Sequence, residues 1–341
     1  MFAISDEIPK SRHHSDIHPT ENLFQPVAHN MAMSPDIVRL GGSDTRTRPR
    51  IKVVGVGGAG CNIVSDSDYD AIAVCKSEES GSPVRIEKKC VLTRDHIRLF
   101  KTTSPQMFTT IGGTLKSGLF SAIGEADLMF LFTGLGGETG SSVTPALANI
   151  ARKHCKLVVV SAAMPFSVEG GERRHFANAS MDRVMEHSDI VISYQNDSLL
   201  KIAPNLPLRK AFTAMDMIMM APVIELASTL TVEDLVQVRS DFSSCKHVRC
   251  GIGLCGGIDR ELRAVSEAFT SPWFDFDLAN VRMALVIASS EEPDGNMVDK
   301  IAKDVAFRVP NARVRYTSRE DKELNGKVRV VVLLGFGPRK P

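Results

Sequence analysis

Two glycine-rich stretches carry the chemistry this sequence can do most directly. Gly134-Leu135-Gly136-Gly137-Glu138-Thr139-Gly140-Ser141-Ser142 follows an unbroken apolar run, Leu128-Met129-Phe130-Leu131-Phe132. Gly55-Val56-Gly57-Gly58-Ala59-Gly60-Cys61-Asn62 follows Ile51-Lys52-Val53-Val54. A glycine-rich turn from strand to helix leaves backbone N–H groups free and aims the positive end of a helix dipole at one spot, where a phosphate is favoured. The bland alternative is a tight turn whose small residues serve packing. The first loop also fits a dinucleotide site, which calls for an acid at the end of the next strand to hold a ribose. Cys75-Lys76-Ser77 stands there instead, with Glu78 an imperfect substitute.

The surrounding pattern positions these loops. Apolar runs at 128–132, 157–162 and 190–194 read as strands buried on both faces of a parallel sheet, and 51–54 and 71–74 read as two more. A short helix is expected from Asn62, and another through 145–151, capped by Ser142 or Thr144. Further helices are expected at 111–124, 173–186 and 211–226, the last long and Met-rich, its Met stripe read as core. Residues 76–110 give no clear period. From about 250 the pattern changes to strands at 250–256, 283–288, 314–316 and 328–334 with helices at 259–269 and 297–307. Residues 1–49 lack apolar periodicity and read as a flexible extension. The HHSDIH segment within it could hold a metal; a solvated tail is the plainer reading.

Taken in order, these stretches resemble the FtsZ/tubulin family over about 51–337. Gly55 to Asn62 is similar to its first phosphate loop, and Gly134 to Ser142 to its GGGTGTG signature. Pro165-Phe166-Ser167-Val168-Glu169-Gly170 with Arg173 resembles the segment whose Glu binds ribose and whose Arg reaches phosphate. Asn196-Asp197-Ser198-Leu199-Leu200 matches NDxLL, whose Asn contacts guanine, and Ala211-Phe212 with Asp216 matches the helix that holds the base. The resemblance implies an α/β fold with a Rossmann-like GTPase domain over 50–226, including a central helix, and a smaller α+β domain over 227–341. It implies guanine nucleotide, GTP or GDP, held by Gly57, Gly58, Ala59, Gly60, Cys61, Asn62, Gly136, Gly137, Glu138, Thr139, Gly140, Ser141, Ser142, Glu169, Arg173, Asn196 and Asp216. A carboxylate at Asp216 could accept from guanine N1–H and the 2-amino group, donors that adenine does not offer in that arrangement. An ion-paired core acid is the competing explanation.

The departures matter as much. Glu138 and Ser142 stand where the signature has glycine, and a carboxylate beside polyphosphate repels it unless Mg²⁺ or an arginine intervenes. The loop that senses the terminal phosphate is replaced by Thr102-Thr103-Ser104-Pro105. In the family, a filament neighbour supplies NxDFADV, whose two acids position water and metal. Here the segment is Val232-Glu233-Asp234-Leu235-Val236-Gln237-Val238. Asp234 keeps the first acid and Gln237 replaces the second. A glutamine can orient water but is no carboxylate base. Glu233 points about 100° away on a helix, and an acid favoured by a helix N-terminus explains both Glu233 and Asp234 without catalysis. Catalysis in trans by Asp234 and Gln237 is therefore expected to be weak or absent.

Composition narrows the rest. The 341 residues carry a formal charge of +1, which gives no general attraction to nucleic acid or an anionic membrane. No apolar run is expected to reach the ~20 residues of a bilayer span, and no signal-peptide core is evident, so a cytoplasmic protein is expected. The seven cysteines lack metal spacing and read as reduced. The family's C-terminal adaptor peptide has no counterpart before Pro341, so no direct membrane anchor is expected. The reading is a divergent FtsZ-like cytoskeletal protein of division or cell shape, associating head to tail or co-assembling with another FtsZ. Its rivals are an active GTP-hydrolysing filament former and a nucleotide-independent scaffold. An NAD(P) oxidoreductase lacks the ribose acid.

Overall fold

Long runs of β-branched and aromatic residues must be covered on both faces, and the chain does this with one sheet flanked by helices. The computed structural model describes residues 36–41, 47–65, 67–76, 86–105, 124, 126–202 and 207–338. Its elements begin with β1 (Ile37–Arg39), β2 (Ile51–Val56), α1 (Gly57–Val64), β3 (Asp70–Lys76), β4 (Lys88–Leu92) and α2 (Arg94–Thr102). They continue through β5 (Leu128–Gly134), α3 (Glu138–Ala151), β6 (Leu157–Met164), α4 (Gly171–His187), β7 (Ile190–Gln195), α5 (Asn196–Ile202) and α6 (Leu208–Thr229). The remainder is α7 (Val232–Phe242), β8 (Cys245–Cys255), α8 (Arg260–Phe269), β9 (Val281–Ser290), α9 (Gly295–Arg308), β10 (Arg313–Glu320) and β11 (Val328–Pro338). The eleven strands run β1-β10-β9-β11-β8-β7-β6-β5-β2-β3-β4. β4 through β7 are parallel, whereas β11 is antiparallel to both neighbours. This is the α/β architecture expected.

Several boundaries differ from expectation for identifiable reasons. α3 begins at Glu138 after an extended Gly137, so Ser142 and Thr144 lie inside the helix and do not cap it. Pro145 is tolerated within that helix despite lacking a donor. α1 begins at Gly57, earlier than Asn62, because its first turn is made of the glycines themselves. β4 and α2 occupy part of the stretch that showed no clear period. All but the last residue of the helix expected at 111–124, and the whole HHSDIH segment, lie outside the described residues.

α6 is the axis between the two halves of the sheet. Ala211, Met215, Met219, Val223 and Leu226 are buried in one continuous core cluster, an i, i+4 stripe that fits the Met-rich reading. By length and composition this helix would suffice to cross a bilayer, contrary to the expectation that no apolar run reaches that length, yet this stripe packs inside the protein. At its C-terminal end, Glu225 is buried and accepts from Ser289 Oγ at 2.7 Å, Arg329 Nη1 at 2.9 Å and Arg319 Nη1 at 3.3 Å. Asp321 shares Arg329 at 2.7 Å. A buried carboxylate so clamped ties α6 to β9, β10 and β11, and removing it alone would leave both guanidiniums to Asp321, 2.7 Å from Arg329 and 3.7 Å from Arg319. The halves meet in the sheet through the single parallel pairing Ile192↔Val248 of β7 with β8.

The first 49 residues are not wholly an extension. Ile37–Arg39 adds to β10 in parallel register, Ile37 opposite Val314. Leu40 is buried, and its N–H reaches the Tyr316 carbonyl at 2.8 Å. The arm then meets α7: Gly41 N–H donates to Asp234 Oδ1 at 3.1 Å, and Val232 N–H to the Thr47 carbonyl at 3.3 Å. α7 itself bridges the halves, with Arg239 on Asp189 at 3.1 Å and Asp241 on Arg315 at 2.9 Å. Burying one leucine is worth about 2 kcal/mol. Truncation through residue 49 is therefore expected to lower the thermal midpoint by about 4 °C or more relative to truncation through residue 35. Matching midpoints in differential scanning calorimetry would show that the arm adds no stability.

Candidate functional site

The two glycine loops converge because they lack side chains where backbones touch. A Cβ on Gly60 would overlap the Phe132 carbonyl, and one on Gly140 would overlap the Gly134 carbonyl and the Thr133 hydroxyl. A Cβ on Gly57 would lie 3.2 Å from the Gly140 nitrogen, so the starts of α1 and α3 abut. Neither helix has a side-chain cap at its N-terminus. First-turn N–H groups, which have no partner within a helix, therefore gather at one place together with two positive dipole ends. Gly136 turns the second loop at φ +90°, and its N–H donates to Ser141 Oγ at 2.8 Å. Arg173 lies against that turn, its Cγ 2.8 Å from where a Gly136 side chain would begin.

A cavity of about 550 Å³ opens beside the loops. Ala59 and Asn62 line it from the first loop, and Gly134 and Leu135 from the second. Glu169 and Arg173 form its rim, joined at 2.9 Å. Glu169 also accepts the Phe166 N–H at 2.8 Å, which fixes the loop before α4. Asn196, the first residue of α5, and Asp216 of α6 close the far side. Two features there are unusual for a packed interior. The Asn196 Oδ1 is buried without a hydrogen-bond partner, and such atoms are normally satisfied. Asp216 has no ion-pair partner among the described residues, and burial alone pushes its carboxyl up to about 6. Among those residues it lacks the partner that an ion-paired core acid requires.

The residues singled out in sequence divide into groups. Ala59, Asn62, Glu169, Arg173, Asn196 and Asp216 face the cavity. Gly57, Gly58, Gly60, Gly136, Gly137, Thr139 and Gly140 belong to the loops and first turns beside it. Cys61 turns inward, its thiol donating to the Gly55 carbonyl at 3.4 Å, so its side chain serves packing. Ser141 braces the loop, and Ser142 is buried within α3. Glu138 opens α3 with its carboxylate 3.8 Å from the Lys76 ammonium. Phe212, which sequence quoted only as part of a motif, also lines the cavity and meets Phe166 edge to face at 5.7 Å. Its spacing of one helical turn from Asp216 was the available signal.

Asp234 and Gln237 sit elsewhere, on α7. The Asp234 carboxylate accepts from Thr231 N–H at 3.0 Å, Thr231 O–H at 2.9 Å and Gly41 N–H at 3.1 Å. It closes a capping box and is buried, while Gln237 is exposed. The run of α6 from Asp216 to its end covers roughly 20 Å, so neither residue belongs to this cavity.

Comparison with known proteins agrees with this geometry. Residues 66–204 match the model of the tubulin/FtsZ family, GTPase domain. Cell division protein FtsZ 1 of Pyrococcus furiosus is 32% identical over 302 residues, covering 84% of this chain and 81% of the relative. The FtsZ dimer of M. jannaschii, solved empty, superposes with a TM-score of 0.71 at 26% identity, covering 85% of this chain and 88% of that one. The GTPγS-bound CetZ2 protofilament of Haloferax volcanii shares the fold, with a TM-score of 0.67 at 20% identity over 85% of this chain and 94% of that one. With identity of this order across more than four fifths of both chains, and with both glycine loops built as described, the chain belongs to the tubulin/FtsZ family as a divergent FtsZ.

Proposed function

We propose that this protein binds guanine nucleotide in the cavity beside the two glycine loops, associates head to tail as a cytoskeletal protein of division or cell shape, and hydrolyses GTP weakly or not at all. The observation that carries the reading is the pair Asn196 and Asp216, a buried amide oxygen without a hydrogen-bond partner and a carboxyl raised by burial, lining one cavity whose opposite wall gathers helix N-termini. A guanine edge supplies N–H donors to Asp216, the ribose meets Glu169, and phosphates meet the N–H groups of α1 and α3 with Arg173 alongside. Phe212 offers a ring at the same wall. The empty FtsZ dimer and the CetZ2 protofilament among its relatives support self-association. Weak hydrolysis rests on α7: Asp234 is held by three donors, and Gln237 is the exposed residue.

Guanine selectivity is measurable by competition. GDP is expected to displace a labelled guanine nucleotide far better than ADP, and Asp216→Ala to weaken GDP by roughly 1–3 kcal/mol. Equal competition by the two nucleotides would exclude the base assignment.

Burial gives Asp216 a pH signature as well. Its carboxyl is raised from 3.8 to about 6 in the folded chain, so the folded state holds that proton more tightly than the unfolded state. The stability this proton contributes is fully present below 3.8 and lost as pH rises through about 6. In the nucleotide-free protein, Asp216→Asn is thus expected to be more stable than the wild type at pH 7, with the difference shrinking toward pH 4. Urea titrations at the two pH values measure this; a difference independent of pH would contradict it.

Phosphate release from GTP and Mg²⁺ at high protein concentration is expected to be slow, and Gln237→Asp to accelerate it by restoring a carboxylate. Brisk release by the wild type, abolished by Asp234→Ala, would establish the active GTPase in its place.

A further inference from the structure

We infer that Lys76 is a phosphate-binding residue of this site and that Glu138 is its resting counter-ion, displaced when a nucleotide's phosphates enter. The inference rests on the guanine-nucleotide reading above and assigns a residue that reading leaves out. β2 lies between β3 and β5, with Val56 opposite Val74 on one side and Thr133 on the other. Lys76 ends β3, and Glu138 opens the helix that follows β5. Their ion pair at 3.8 Å therefore arches over the end of β2, where Gly57 and Gly58 begin α1. A Cβ on Gly58 would meet nothing within 4 Å, so the loop beneath is open.

The two partners are not equally fixed. The Lys76 side chain is 16% exposed and that of Glu138 is 57% exposed, so the ammonium is the held half and the carboxylate the movable one. A carboxylate in the first turn of a helix is favoured by the same partial positive charge that favours a phosphate. Glu138 thus stands as an anion of the protein's own at the gathered N-termini. A phosphate arriving there is repelled by Glu138 and attracted by Lys76, a compact charge well suited to phosphate oxygens. Exchange of one anion for the other on Lys76 satisfies both demands. Lys76 and Glu138 do not line the cavity themselves but flank the two loops whose Ala59 and Gly134 do, and an independent sign that this cavity awaits a polar ligand is the unpaired Asn196 Oδ1, on a residue 8% exposed. Lys76 thus puts a positive charge at the end of β3, where a dinucleotide site would carry an acid for the ribose.

The test measures GDP and guanosine binding to the full chain by competition, in wild type, Lys76→Gln, Lys76→Arg, Glu138→Gln and the double variant. Lys76→Gln is expected to weaken GDP by about tenfold or more, Lys76→Arg to retain most of the affinity, and Glu138→Gln to tighten it. The double variant should lie near the wild type, since it removes attraction and repulsion together. Guanosine, which has no phosphate, should bind all five alike. If Lys76→Gln leaves GDP unchanged, or weakens GDP and guanosine equally in a protein whose thermal midpoint is intact, Lys76 binds no phosphate and the inference is overturned. If the wild type binds neither compound, the guanine-nucleotide reading itself fails and this inference falls with it.

Discussion

Bare backbone at Gly60 and Gly140 is the constraint from which the site takes its form. Without a Cβ at either position, α1 and α3 close on the carbonyls at the end of β5 at separations no side chain permits. Two helix N-termini then share one location, and their partial charges add. Asn62 faces the cavity because α1 is seated there, and Arg173 rests on the Gly136 turn because that loop is drawn in. The obstacle to any substitution is backbone in both cases, so a methyl group would have to move a helix, not a side chain.

A second theme is where carboxylates reside. Family resemblance leads one to look for working acids on α7, yet Asp234 accepts three hydrogen bonds and is buried as the N3 residue of a capping box. Acidic charge appears instead at Glu138, in a loop whose resemblance is to glycines. On α6, by contrast, Asp216 has no ion-pair partner among the described residues, and burial raises its carboxyl. A chain can keep the fold of its family while redistributing charge, because helix N-termini accept an acid for capping as readily as for chemistry.

What sequence disclosed follows from period and from bare apolar runs. The strands at 128–132, 157–162 and 190–194 were legible because residues buried on both faces leave no alternation to misread. The Met stripe of α6 was legible as core from its i, i+4 spacing, although Met217, off that stripe, is exposed. Helix starts were not: a cap was sought at Ser142 or Thr144 on side-chain chemistry, but the helix starts on glycine with no side-chain cap. β4 escaped notice because it is five residues at the edge of the described sheet, two of them lysines. β1 escaped because three residues carry no period at all, and its register depends on β10, far along the chain. Asp216 and Asn196 could be named from motif order. That the Asn196 oxygen is unpaired among the described residues and that burial raises Asp216 could be learned only from the fold, and so could the nearness of Lys76 to Glu138.

The two strands that bound the described sheet are both poor templates for further pairing. β1 offers three residues, and β4 opens with Lys88-Lys89, the lengths and charges by which open strands resist joining to other chains. An eleven-stranded sheet with long apolar margins could stick to its own kind sideways, through backbone hydrogen bonds indifferent to sequence. Blunted margins leave contact to side-chain surfaces, where shape and charge can select both the neighbour and its orientation.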